Sequence, residues 1–252
     1  MSTYGENIPE NLWAEYSTEA FNSLPNTRDI SKLIDPRDPH DPFVAKFTNA
    51  LVPIFLEAQV TDLAAISLLH KHFYLKEGER VMENLEGNYS VMRPERSYED
   101  DSVTPYLWRV EVDEAGSPLW RPLEFVRACD SAVTLYQRLF SNKAFLYALG
   151  REMLDTGLNN HLGLILLHRT HIEMPVETTH AKSRTQTLTP AIDVPELPKD
   201  RDDRLRKITE FLQSGALVRS MYKIDPNISD DYAAMMVCSS TCGACACCGW
   251  YH

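Results

Sequence analysis

A chain of 252 residues with 36 acidic against 25 basic side chains and a formal net charge of -11 is a poor partner for nucleic acid. Phosphate binding depends on clustered Lys and Arg, and no basic stripe occurs here. At 44% hydrophobic and 24% charged residues the composition is that of an ordinary globular chain, long enough for one large domain or two small ones.

Residues 1 to 41 are rich in Pro, Asn, Asp and Ser, with aromatic anchors at Trp13, Tyr16 and Phe21. They read as an irregular arm with one helical turn near Leu12 to Ala20. The first seven residues lack a basic region followed by an apolar one, so no secretory leader is expected. Asp41-Pro42 is a helix start, with Asp as N-cap and Pro at the first helical position. Phe43, Val44, Phe47, Ala50, Leu51, Ile54 and Phe55 follow a 3.6-residue period to about Ala58, with Pro53 expected to kink the helix.

Leu63 to Leu75 is nearly continuous in apolar character, as in a strand covered on both faces. A second strand candidate runs from Val81 to Met92, interrupted by Glu83, Asn84, Glu86, Gly87 and Asn88, and Glu95 to Ser102 reads as a solvated loop. Tyr106 to Val112 and Leu119 to Phe125 flank Asp113-Glu114-Ala115-Gly116-Ser117-Pro118, a hairpin signal, and Pro122 points to an edge strand. Helices are expected over about Ser131 to Leu139 and Asn142 to Thr156, the second closed by Gly157. A second buried strand spans His161 to Met174. A short extended piece lies within Thr185 to Val194, and a last helix covers Asp202 to about Leu217, with Arg204, Lys207 and Glu210 on its polar face.

The two buried strands match each other. Shifted by 98 positions without gaps, Leu68-Leu69-His70 falls on Leu166-Leu167-His168, and Phe47, Ala50, Leu51, Leu56 and Glu79 fall on Phe145, Ala148, Leu149, Leu154 and Glu177. Repeats this long are not those of a solenoid. The expected fold is α+β, a mixed or antiparallel sheet covered by helices, with an internal pseudo-repeat of a helix–strand unit. Its expected extent is residues 42–237, between the arm and a cysteine-rich tail over 238–252. The longest apolar run, near Leu162 to Leu167, is far short of the ~20 residues needed to span a bilayer, and a cytoplasmic location follows as the expectation.

His70 and His72 are two apart on an expected strand and so share a face, an arrangement that offers two imidazoles to one metal. Glu77 and Glu79 follow. His171 and Glu173 repeat the two-residue spacing in the second copy, with His168 on the opposite parity. A histidine and carboxylate two apart with a distant histidine is the ligand grammar of non-haem iron sites. If the repeat brings its strands together, His70, His72, His168, His171 and Glu173 would line one pocket, with His180 a further candidate ligand. The bland alternative is a set of hydrogen-bonded histidines at strand ends.

Of six cysteines, Cys129 stands alone and five crowd into the last fifteen residues. Cys238, Cys242, Cys245, Cys247 and Cys248, with His252, form a soft donor set suited to Zn(II), Cu(I) or a related ion. No Gly-rich phosphate loop, nucleophile elbow or His-Glu-x-x-His helix occurs.

Three resemblances follow from these residues. His70-x-His72-x4-Glu77 resembles the first metal motif of cupins, which implies a divalent ion held by two histidines and a glutamate. The chain departs from that motif at Ala64 and Asn84, where glycines are expected, and its helices do not suit an all-β jelly roll. Cys238-x3-Cys242-x2-Cys245 resembles the cluster motif of radical S-adenosylmethionine enzymes, although only seven residues follow it. Leu-Leu-His-Lys-His-Phe at 68–73, with the helix before it and the Trp120 to Phe125 hairpin arm, resembles a set of uncharacterised filamentous-fungal proteins, which implies a cytoplasmic protein and no particular activity. Three functional expectations stand side by side: a small-molecule- or metal-binding protein, or an enzyme, with its pocket at the ends of strands 63–75 and 162–174; a thiol-metal or redox protein acting through the tail; and a non-catalytic interaction protein.

Overall fold

The computed structural model describes residues 8–30, 32–33, 41–96, 102–127, 129–169, 172, 175–180, 182–214, 217–224 and 233–239, with the backbone alone at 28, 218–219 and 233–239. The arm holds two short helices, α1 (Thr18–Asn22) and α2 (Thr27–Ile30), and buries Leu12, Phe21, Leu24 and Ile30 in the main core. Helix α3 (Pro42–Ala58) begins at the expected cap: the Asp41 carboxylate accepts from the backbone N–H groups of Phe43 and Val44. Pro53 lies inside it on the exposed side.

Among the described residues ten strands form one closed barrel: β1 (Ala64–Leu68), β2 (Glu79–Glu86), β3 (Tyr89–Arg96), β4 (Val103–Val112), β5 (Pro118–Arg127), β6 (Leu162–Leu166), β7 (Pro175–His180), β8 (Thr185–Pro190), β9 (Leu217–Lys223) and β10 (Ala233–Ser239). Around the barrel the order is β1-β6-β4-β5-β2-β3-β8-β7-β10-β9, and β9 closes onto β1. Helices α4 (Asp130–Ser141) and α5 (Lys143–Thr156) pack on β4, β5 and β6. Helix α6 (Arg201–Gln213) lies on β9 and α5 against α3, where Phe55 and Phe145 meet edge to face at 5.1 Å. The sheet is mixed, since β2–β5 and β7–β10 run parallel and the other pairs antiparallel. The fold is therefore α+β, as the patterning implies, with the sheet rolled shut. Closure leaves no free edge of the kind that invites pairing with another chain.

The repeat is present in the register of the strands. β1 and β6 pair antiparallel about Ile66↔Leu164, residues 98 apart, and β3 and β8 about Val91↔Thr187. β4 meets β6 through Leu107↔Ile165 and Trp108↔Leu164, and β9 meets β1 through Met221↔Ser67 and Tyr222↔Ile66. One pattern maps onto the other when β1 shifts by 98 and β4 by 114 (from 107 to 221). Both outer hairpins carry a register shift at the matching place, Leu107 in β4 and Met221 in β9. Two units, α3 with β1–β5 and α5 with β6–β10, thus wrap about a local two-fold axis. The ungapped offset drifts because loops differ, above all where α6 enters between β8 and β9. Each unit's first strand is held entirely by the other unit: β1 by β6 and β9, β6 by β1 and β4.

Several sequence expectations need correction. The buried strands end at Leu68 and Leu166, short of Leu75 and Met174, because the chain turns out of the sheet. After β1 the arm takes over the pairing, with the Lys71 N–H donating to the Pro25 carbonyl. Val81 to Met92 is two strands joined by a two-residue turn with Gly87 at φ 63°; such a hairpin turn needs glycine there. Pro122 is on no edge strand: β5 lies between β4 and β2, and only its stretch Glu124 to Val126 pairs with β2. Arg204 is buried, donating to the carbonyls of Pro198 and Lys199. β10 takes in Cys238 and Ser239, the first residues assigned to the tail.

Candidate metal centre

Alternation along the strands turns one side chain in two toward the barrel interior. Ser67, Leu107, Ile165, Glu124, Glu177, Met92 and Gln186 line a common cavity there, with His70, His72 and Arg169. Trp108, next to Leu107, packs against Tyr136 and Phe140 of α4.

His70 is held by its own backbone. Its Nδ1–H donates to the Leu68 carbonyl at 2.8 Å, so Nε2 is the nitrogen presented to the cavity. That Nε2 is buried without a hydrogen-bond partner. It lies 3.7 Å from Oε2 of Glu177, an ion-pair separation too long for a hydrogen bond. His72 is tied through Nδ1 to Oγ1 of Thr179 at 2.8 Å, and its ring meets that of His70 edge to face at 4.6 Å. With the Leu68 carbonyl on one Nδ1 and the Thr179 hydroxyl on the other, both imidazoles are oriented as metal-bound histidines commonly are.

Glu177, on β7, completes the group. Its Oε1 accepts from Gln186 Nε2 at 2.8 Å and its Oε2 from Ser220 Oγ at 3.2 Å. One donor atom from each of His70, His72 and Glu177 falls within 4.8 Å of the others, and all three residues are buried. Tetrahedral donors at 2.0–2.2 Å from an ion are about 3.4 Å apart, so an ion would draw this group inward by about 1 Å. Burial disfavours charge on His70 and Glu177 alike. The neighbouring carboxylate outweighs burial at His70, raising its pKa, and the two imidazoles outweigh it at Glu177, lowering its pKa to about 2.

The equivalent locus in the other half is already satisfied. His168 mirrors His70: its Nδ1–H donates to the Leu166 carbonyl at 3.2 Å, and its Nε2 lies 2.7 Å from Oε2 of Glu83. Glu83, on β2, occupies the place in its unit that Glu177 occupies on β7, and Nε of Arg169 is 3.6 Å from its Oε1. Burial raises the Glu83 pKa, but Arg169 and His168 more than reverse this, holding it at about 2. Where the first copy has Lys71-His72, the second has Arg169-Thr170. The second locus therefore lacks the extra imidazole and has a guanidinium beside its carboxylate. Each locus joins a histidine from one unit to a glutamate from the other. Nearby, the Tyr106 hydroxyl donates to Glu124, whose pKa burial raises, and the Arg169 guanidinium lies 4.9 Å from the Tyr106 ring.

Of the residues expected in a single pocket, the structure groups His70 with His72 and directs His168 to Glu83. His171 and Glu173 lie outside the described residues, as do Cys242, Cys245, Cys247, Cys248 and His252; Cys238 is described by its backbone alone. Glu77 is exposed, and Glu79 is engaged by Arg184 and the Lys76 N–H, so the carboxylate expected from a cupin-like motif is absent from this group. His180 ends β7 on an exposed position. Sequence reasoning missed Glu177 as a ligand candidate, and Glu83, Glu124 and Gln186 altogether. The available signal was the charged residue set among apolar ones within Val81 to Leu85. Among the described residues no helix is long and apolar enough to cross a membrane. Compared with known proteins, the chain matches no family model, no curated protein and no solved structure.

Proposed function

We propose that the protein binds one divalent metal ion inside the barrel through Nε2 of His70, Nε2 of His72 and the Glu177 carboxylate. The observation that carries this reading is the buried Nε2 of His70, without a hydrogen-bond partner, beside two further donors. An unpaired buried polar atom costs about 1–3 kcal/mol, and a metal would turn that cost into a bond. Two imidazoles and one carboxylate suit Zn(II) or Fe(II) and leave coordination positions open. The cavity, about 10 Å³, is on the scale of a single small group, which favours an ion over a bulky organic ligand enclosed in the barrel.

The competing reading places metal on the C-terminal cysteines, and stoichiometry separates the two. Full-length protein stripped of metal should take up one equivalent of Co(II) or Zn(II) at this centre. That equivalent should persist when Cys238, Cys242, Cys245, Cys247 and Cys248 are all replaced by Ser. Glu177→Gln should weaken it by ~100-fold or more, since loss of a mere outer-shell partner already costs 10–100-fold. Metal that leaves with the cysteines and is indifferent to Glu177→Gln would refute the proposal.

A further inference from the structure

We propose that the open coordination position of this centre takes a small oxyanion of the carboxylate class, one oxygen on the metal and the other on Arg169. The inference rests on the metal-binding reading above. Arg169 is 7% exposed, lines the same cavity as His70, His72 and Glu177, and has an Nη1 with no acceptor. Its nearest acid, Glu83, is 3.6 Å from Nε, which satisfies charge without using the planar fork that guanidinium offers to a carboxylate.

Two unsatisfied features thus share one cavity: a metal site with open positions and a buried guanidinium arm without a partner. A single planar oxyanion meets both requirements. Charge agrees, because a divalent ion on two neutral imidazoles and one carboxylate carries a net positive charge, while Glu83 already neutralises Arg169. The Glu124 carboxyl also lines the cavity; its Oε2 accepts from Tyr106. At about 10 Å³, the cavity excludes members of that class larger than formate.

The probe is formate, titrated into Co(II)-loaded full-length protein and followed by the visible d–d absorption, with chloride as control. A saturable change specific to formate is expected. Arg169→Lys keeps the charge beside Glu83 but loses the fork, and should weaken formate by roughly ten- to a hundredfold while Co(II) binding is retained. Should that variant fail to fold, the paired replacement Arg169→Gln with Glu83→Gln removes both charges at nearly constant volume and should abolish the response. Formate without effect on Co(II)-loaded protein, or equal affinity in the Arg169 variants, overturns the inference and leaves the metal site standing. Failure of Co(II) to bind the histidine–glutamate centre brings down both.

Discussion

Replacing Glu83 by Gln isolates the locus that is closed by an ion pair. The change keeps volume and leaves an amide oxygen able to accept from His168, but it leaves Arg169 buried without an anion. Glu83 is fully enclosed, 2.7 Å from His168 and 3.6 Å from Arg169. Its pKa falls from 4.5 to about 2, and at about 1.4 kcal/mol per tenfold this corresponds to roughly 3 kcal/mol. Removal of one member of a buried pair typically costs about 3–5 kcal/mol, so about 3 kcal/mol is the expected loss at neutral pH. For a chain of this size it lowers Tm by roughly 6–12 °C. Because the folded pKa is depressed, the contribution is complete above about pH 4.5 and disappears as the pH falls through about 2. The assay is denaturant unfolding of wild type and variant across that range. The stability gap should close as the pH falls, with the wild type losing stability. A gap below about 1 kcal/mol at pH 7, or one that stays constant down to pH 2, would refute the ion-pair account.

Two further substitutions test the packing beside the site and the strain in a helix away from it. Gly163, in β6 opposite Ser67, has no room for a methyl group: a Cβ there would overlap the Trp108 carbonyl oxygen and lie 2.5 Å from Cδ2 of Leu69. Gly163→Ala should cost about 1–3 kcal/mol and, by displacing the residue before His70, weaken metal binding; thermal melts and Co(II) titration check both. Pro53→Ala restores a backbone donor on the exposed side of α3, far from the interior. It should raise stability by about 1–3 kcal/mol without altering metal affinity, since Pro costs about 3 kcal/mol relative to Ala inside a helix; an unchanged Tm would count against the expected helix strain.

The helices were legible because their ends carry local chemistry: Asp41-Pro42 at the start of α3, Gly157 after α5. The repeat was legible too, as Leu68-Leu69-His70 and Leu166-Leu167-His168 occupy matching places. Closure of the barrel was not, because it is decided by pairings such as Ile66↔Tyr222, between segments far apart in sequence. Glu83 and Glu177 were passed over as site residues for a related reason. A charged residue within a strand normally marks a solvent face, but the inward face of a closed barrel is shut off from water, and such residues must instead find partners there. His70 and His72 were visible as a pair, while their carboxylate arrives from the other unit, about a hundred positions away. The ungapped offset of 98 aligned Glu177 with Glu79, whereas its counterpart in the barrel is Glu83, 94 positions earlier.

The exchange of first strands between the two units also governs how the chain can mature. β1 is Ala-Ala-Ile-Ser-Leu, buried along its whole length, and neither of its partners exists until β6 and β9 have been made. At ~5–20 residues per second, the interval between Ile66 and Leu164 leaves that strand waiting on the order of 5–20 s at the ribosome. In that interval the rest of the first unit, α4 and α5 emerge as well, but none of them is a ladder partner of β1. Closing a loop of this length costs entropy before any contact repays it, so the first half should persist as an open, adhesive intermediate. Its histidines meet Glu177 only when the second half arrives, and the histidine–glutamate group is then among the last features of the molecule to assemble.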